Sequence, residues 1–155
     1  MKTFQELVDA ALQRVEELFP WDLEEETSNN PDLMLLDIRE PYEYDAMHIQ
    51  GALNVPRGIL ETSCEFDYEE TVPELASARE RDIVVICRSG KRSALAADIM
   101  QQMGYKKVKS LKTGMRGWSD YEQDMVDGDG NPVDEDTAID FFTPKLLPEQ
   151  MSKKL

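Results

Sequence analysis

Residues 83–100 read IVVICRSGKRSALAADIM. Four apolar residues run into Cys87, and Arg88, Ser89, Gly90, Lys91, Arg92 and Ser93 follow it. A thiol reacts as its thiolate, and a helix N-terminus beside cations stabilises that anion. Gly90 lets the backbone curl so that successive N–H groups point inward as an anion-binding nest. Ser89 and Ser93 add hydroxyl donors to the same short loop. The stretch reads as a cradle for a negatively charged sulfur. An inert buried cysteine ending a strand is the plain alternative, and it leaves the loop's composition without a reason.

The elements that must position this thiol can be read on either side of it. LMLLDI (33–38) and DIVVIC (82–87) are apolar without alternation, the pattern of strands buried on both faces. KVKSL (107–111) predicts a third strand and ALNVP (52–56) a short one ending at Pro56. Ser93 to Met103 has helical spacing, with Leu95, Ile99 and Met103 on one face and Gly104 beyond its end. REPYEYDAMHIQG predicts a turn and short helix, residues 57–81 an acidic, partly helical excursion, and TGMRGW a glycine-rich turn before Trp118. Strands alternating with helices imply an α/β domain with a mostly parallel sheet, whose sites lie beyond the carboxyl ends of the strands. Cys87 sits at one such end.

The flanks differ in character. Phe4, Leu7, Val8, Ala11, Leu12, Val15, Leu18 and Phe19 fall on one face of an amphipathic helix that Thr3 and Glu6 cap and Pro20 closes. That helix is expected to pack on the domain, a partner helix being the alternative. A polar connector, DLEEETSNNPD, follows. Beyond residue 122 the chain is an acidic tail whose FF pair is expected to pin it to the domain. The expected organisation is therefore an N-terminal helix at 1–20, an α/β domain at 21–122 and a tail at 123–155.

Composition excludes several classes. At 155 residues and 41% apolar content the chain can bury one sizeable core. A net charge of -15 argues against nucleic-acid and anionic-membrane binding. The apolar runs are far short of a membrane span, and MKTFQELVDA has no signal-like apolar core. Two cysteines, Cys64 and Cys87, make no disulfide scaffold, so a cytoplasmic setting is expected. Cys64 is either a resolving thiol or incidental. Residues 81–118 nevertheless carry a net +7, a basic island suited to a small anion, although neighbouring acids can also pair with its lysines. No metal is expected, because two distant cysteines and one histidine offer no recognised ligand spacing. DGDGNPVDED fails as a calcium loop, with Pro132 where glycine is needed and Ala138 where glutamate is needed.

In order and spacing, LLDIRE (35–40), HIQGALNVP (48–56), VICRSGKRS (85–93), GYKKVKSL (104–111) and GMRGW (114–118) resemble the single-domain rhodaneses. The resemblance covers roughly residues 33–121. It implies a rhodanese-like fold, in which a central mostly parallel sheet is flanked by helices, here with the N-terminal helix and C-terminal tail added. It implies sulfane-sulfur transfer through a persulfide on Cys87, with residues 88–92 as the substrate-binding loop and no cofactor. Asp37, Arg39 and His48 are implied to be supporting residues, as is Ser93. The implied partners are a small anionic sulfur donor and a thiol or protein acceptor, and a persulfide-carrying or protein-binding module without small-molecule turnover is the variant reading. Two positions depart from the family's pattern, Met47 and Thr113, where the family usually has glycine. Cysteine phosphatases are the rival. They use C-x5-R, whereas this chain has C-x4-R, with Ser93 where the phosphatase arginine stands. A cysteine hydrolase needs a base, and His48, the only histidine, lies in the family's HIxGA element and is expected to be structural.

Overall fold

The computed structural model describes residues 1–153. Five parallel strands form one sheet in the order β1-β5-β4-β2-β3: Glu16–Leu18 (β1), Met34–Asp37 (β2), Leu53–Asn54 (β3), Asp82–Ile86 (β4) and Lys107–Leu111 (β5). Side chains alternate across a strand, so β4 feeds two separate cores. Ile83 and Val85 point to one with Leu60, Leu75, Ala96, Ala97 and Met100. Val84 and Ile86 point to the other with Leu18, Leu23, Met115, Trp118 and Phe142. Cys87 continues the first side, and every residue from Ile83 to Cys87 is buried. The predicted central strands and parallel sheet are present.

The N-terminal segment corrects the sequence reading. Helix α1 spans only Phe4–Leu12, with the Thr3 hydroxyl accepting from the Glu6 N–H at 3.1 Å. It buries Val8 and Ala11 but leaves Phe4 and Leu7 exposed. Residues 16–18 leave the helical path because the edge of β5 offers a ladder, registered Leu18 to Leu111. Tertiary pairing overrides the helical spacing there. Arg14 then ties the segment to the long helix that follows Cys87, through two 2.8 Å bonds to Asp98.

Pro20 opens a helix instead of closing one. Helix α2 (Pro20–Asn29) occupies the predicted polar connector, with proline in its first turn and the Asp22 carboxylate accepting from the Phe19 N–H. Leu23, fully buried, anchors it. Short helices α3 (Pro41–Ala46), α4 (Leu60–Ser63) and α5 (Pro73–Ala76) follow. Helix α6 spans Lys91–Gln102 and begins two residues earlier than predicted. Its buried stripe is Ala94, Ala96, Ala97 and Met100, with Leu95, Ile99 and Met103 only partly buried, because small side chains let α6 lie close on β4 and β5. TGMRGW is the start of helix α7 (Gly114–Asp120) rather than a turn. In the acidic tail, Val126 pairs with His48 as an isolated bridge, and α8 (Glu135–Phe142) buries Phe142. Among the described residues no helix is long and apolar enough to cross a membrane.

Candidate active site

The loop from Cys87 to Ser93 closes around one atom. Cys87 Sγ accepts from the backbone N–H of Gly90 at 3.1 Å and of Ser93 at 3.3 Å, and Ser93 Oγ lies 3.3 Å away. Gly90 makes this curl possible, for it is the residue capping α6 at φ 88°, where an added Cβ would meet the Thr113 nitrogen at 3.0 Å. The carbonyls of Cys87 and Arg88 are turned away from the sulfur, accepting from the N–H groups of Met115 and Arg116 at 2.9 and 3.0 Å. Two N–H groups therefore serve the sulfur while these two carbonyls are engaged elsewhere. Gly114 is the residue that permits it. A Cβ there would stand 2.5 Å from the Cys87 carbonyl oxygen, a backbone atom that cannot give way.

The loop's cations do not all face the sulfur. Arg92 spends both terminal nitrogens on Glu43, at 3.0 and 2.9 Å. Burial pushes the Glu43 carboxyl up, but the Arg92 bonds, the Glu40 N–H and the charges of Arg92 and Arg39 together hold it below the usual range. Arg88 Nη2 donates to the Phe142 carbonyl at 3.0 Å, at the end of α8. Ser89 is exposed, and its hydroxyl has no protein partner among the described residues. Lys91 is exposed and enters no ion pair among the described residues. Of the two loop cations without an acidic partner among the described residues, Arg88 and Lys91, Lys91 is the exposed one.

Behind the loop, Asp37 and Arg39 form a fully buried pair at the end of β2. Arg39 Nε and Nη2 donate to Asp37, Nη2 also reaches the Met47 carbonyl at 2.7 Å, and the Ile38 N–H donates to the Ile86 carbonyl beside Cys87. Of the two departures from glycine, Met47 is extended and buried without strain, whereas Thr113 sits at φ 66° in the left-handed region. His48 is occupied elsewhere. Its Nδ1 donates to the Tyr44 carbonyl at 2.7 Å, its ring stacks on Tyr44 at 3.6 Å, and its backbone pairs with Val126. His48→Asn is therefore expected to keep turnover within about tenfold of the parent, whereas a loss near 10³-fold at unchanged thermal stability would make it a general base.

Comparison with known proteins settles the family. The family model described as "Rhodanese-like domain" matches residues 21–121. The chain belongs to that family. Among rhodanese-like relatives, a Bacillus subtilis protein named for sulfur carriage is 36% identical over 95 residues, 61% of this chain and 46% of its own length, so the chain spans less than half of it. The thiosulfate:glutathione sulfurtransferase of Saccharomyces cerevisiae is 30% identical over 104 residues, 64% of this chain and 73% of its own. A Rhodopseudomonas palustris structure, described as a protein of unknown function and possible tyrosine phosphatase, superposes with a TM-score of 0.73. It is 29% identical, with 79% of this chain and 93% of that one covered.

Sequence reasoning brought Cys87, Gly90 and Ser93 together, as the structure does, and paired Asp37 with Arg39 in one supporting element. It missed Glu43 and Ser110. Glu43 had one local signal, its place three residues after Glu40, whose N–H it accepts at 2.9 Å at the start of α3. Ser110, whose hydroxyl lies 2.7 Å from that of Ser93, had none.

Proposed function

We propose that the chain is a sulfurtransferase that carries sulfur as a persulfide on Cys87. The Cys87 thiolate attacks the outer sulfur of thiosulfate, the sulfur–sulfur bond of the donor breaks, and sulfite leaves with the electron pair. A thiophilic acceptor, cyanide in an assay or a thiol or protein thiolate otherwise, then takes the outer sulfur and returns Cys87 to its thiolate. The two half-steps are covalent catalysis and call for no organic cofactor. One observation carries the reading: Sγ is the shared acceptor of the Gly90 and Ser93 N–H groups, while the carbonyls of Cys87 and Arg88 are engaged by the N–H groups of Met115 and Arg116. The name of the yeast relative, a thiosulfate:glutathione sulfurtransferase, supports a thiol as acceptor.

The structure also weakens the phosphatase reading. A transferring phosphoryl group needs a guanidinium clamp, and Arg92 is already held in both teeth of its fork by Glu43. For the same reason Arg92, expected from the sequence to bind the donor, is assigned to shaping the loop. Lys91 takes the donor role. Lys91→Ala should lower kcat/KM for thiosulfate about 10- to 150-fold, the worth of one hydrogen bond to a charged group, and Lys91→Arg should restore much of it. Equal loss with an uncharged sulfur donor would remove Lys91 from the anion site.

Cys87 is fully buried, so a donor reaches Sγ only after a local rearrangement that exposes it. Intact-mass measurement after mixing with thiosulfate tests the proposal. One sulfur atom should be gained and then lost to cyanide. No gain with thiosulfate, together with hydrolysis of an aryl phosphate, would establish the phosphatase instead.

A further inference from the structure

Ser110 belongs to β5, opposite Val85 in the ladder, and is fully buried. Its hydroxyl has one partner among the described residues, the hydroxyl of Ser93 at 2.7 Å. Ser93, also fully buried, has two side-chain partners, Ser110 Oγ and Cys87 Sγ at 3.3 Å. Sulfur and two oxygens thus form a closed chain with two links and no outlet to solvent.

Counting hydrogens gives the chain a direction. With Cys87 as a thiol, three hydrogens serve two links, and one of them has no partner within the chain. With Cys87 as an anion, two hydrogens fill two links. Ser110 O–H donates to Ser93 Oγ, and Ser93 O–H donates to Sγ. The sulfur then receives three donors, two from the backbone and one hydroxyl. An unpaired buried donor is costly, and a hydrogen bond to a charged atom is worth more than a neutral one. The chain is complete only when the sulfur carries the charge.

We propose that Ser110 is a positioning residue that holds the Ser93 hydroxyl hydrogen on Cys87 Sγ whenever that sulfur is anionic. By occupying a lone pair of Ser93 Oγ, Ser110 leaves the Ser93 hydrogen for the sulfur. Without it, Ser93 is free to turn back to the carbonyl one helical turn earlier, the usual alternative for a helical serine. The assignment rests on the sulfurtransferase reading for its kinetic consequence. When the acceptor takes the outer sulfur, the bond between the two sulfurs breaks and its electron pair stays on Sγ, which leaves as the thiolate. Ser110 therefore acts on both chemical steps at Sγ, the attack by the thiolate and its departure, and so on kcat rather than on donor binding.

The test is a double-mutant cycle of Ser110→Ala, Ser93→Ala and the pair, with Ser110→Thr as rescue. Ser110→Ala should lower kcat about three- to tenfold, the worth of one neutral hydrogen bond, with KM for thiosulfate and thermal stability unchanged. The pair should lose no more than Ser93→Ala alone, since Ser110 acts through Ser93. Ser110→Thr, which keeps the hydroxyl, should recover most of the loss. Additive losses, an unchanged kcat or a raised KM would each overturn the assignment. If Ser110→Ala unfolds the domain, Ser110→Cys, close in volume but a weak donor, should show the same kcat loss. The rate of Cys87 alkylation by iodoacetamide separates the two proposals. It should fall in Ser110→Ala even if thiosulfate never loads the parent protein, and an unchanged rate would overturn the role of Ser110 alone.

Discussion

Cys87→Ser should end sulfur loading and lower thiosulfate-dependent turnover by about 10⁴-fold or more, as removal of a covalent nucleophile does elsewhere. Serine is nearly isosteric, so the loop can keep its shape while its chemistry is lost. A hydroxyl becomes a useful nucleophile only with a base beside it, and the single histidine is held by Tyr44. Cys64 is the control. It is fully buried among Leu60, Leu75 and Met100, and burial pushes its thiol up despite the Tyr105 hydroxyl and the nearby Arg79 charge. A thiol whose apolar surroundings disfavour its thiolate is a poor nucleophile toward thiosulfate or a persulfide. Cys64→Ser should therefore load as the parent does. Intact mass with each single variant decides the matter, and an adduct that survives Cys87→Ser but disappears in Cys64→Ser would move the chemistry to the other thiol.

Arg39→Met should be the most destabilising single change among the supporting residues. It removes the guanidinium that satisfies Asp37 and leaves a carboxylate with no exposed surface and no counter-charge. Breaking a buried pair from one side costs about 3–5 kcal/mol, which for a domain of this size lowers Tm by roughly 6–20 °C. The pair is not thereby a large net stabiliser. Taking both charges from water is itself costly, and Arg39 Nη1 is buried with no partner, which adds to that cost. Asp37→Asn combined with Arg39→Met should therefore recover much of the lost stability, since the amide oxygen still accepts from the Arg39-position N–H, at 3.1 Å in the parent. Calorimetry on the two single variants and the pair tests this. A Tm within about two degrees of the parent for Arg39→Met, corresponding to less than about 1 kcal/mol, would show that the end of β2 is held by Asn54 and the sheet alone. Asn54 Nδ2 donates to the carbonyls of Asp37 and Arg39 at 3.0 Å each.

The thiol's immediate cradle was legible in the sequence because its parts are neighbours in the chain. A buried strand, a glycine able to take a positive φ and the first turn of a helix are all local signals, and together they aim N–H groups at Sγ. Strands β2 and β4 were legible for a related reason, since strands buried on both faces need apolar residues without alternation. Strand β1 was not. Its three residues carry too little pattern of their own, and what makes them a strand is the free edge of β5. The roles of the loop's charges were hidden for the same reason. Arg92 finds Glu43 from 49 residues away, Arg88 finds the Phe142 carbonyl from 54, and Ser93 finds Ser110 from 17. Local sequence determined where the sulfur and its backbone donors lie, because peptide geometry acts over a few residues. Only the folded chain decided which cation stays free, because a charge or hydroxyl is committed by whatever partner packing brings within about 3 Å, the range of a hydrogen bond.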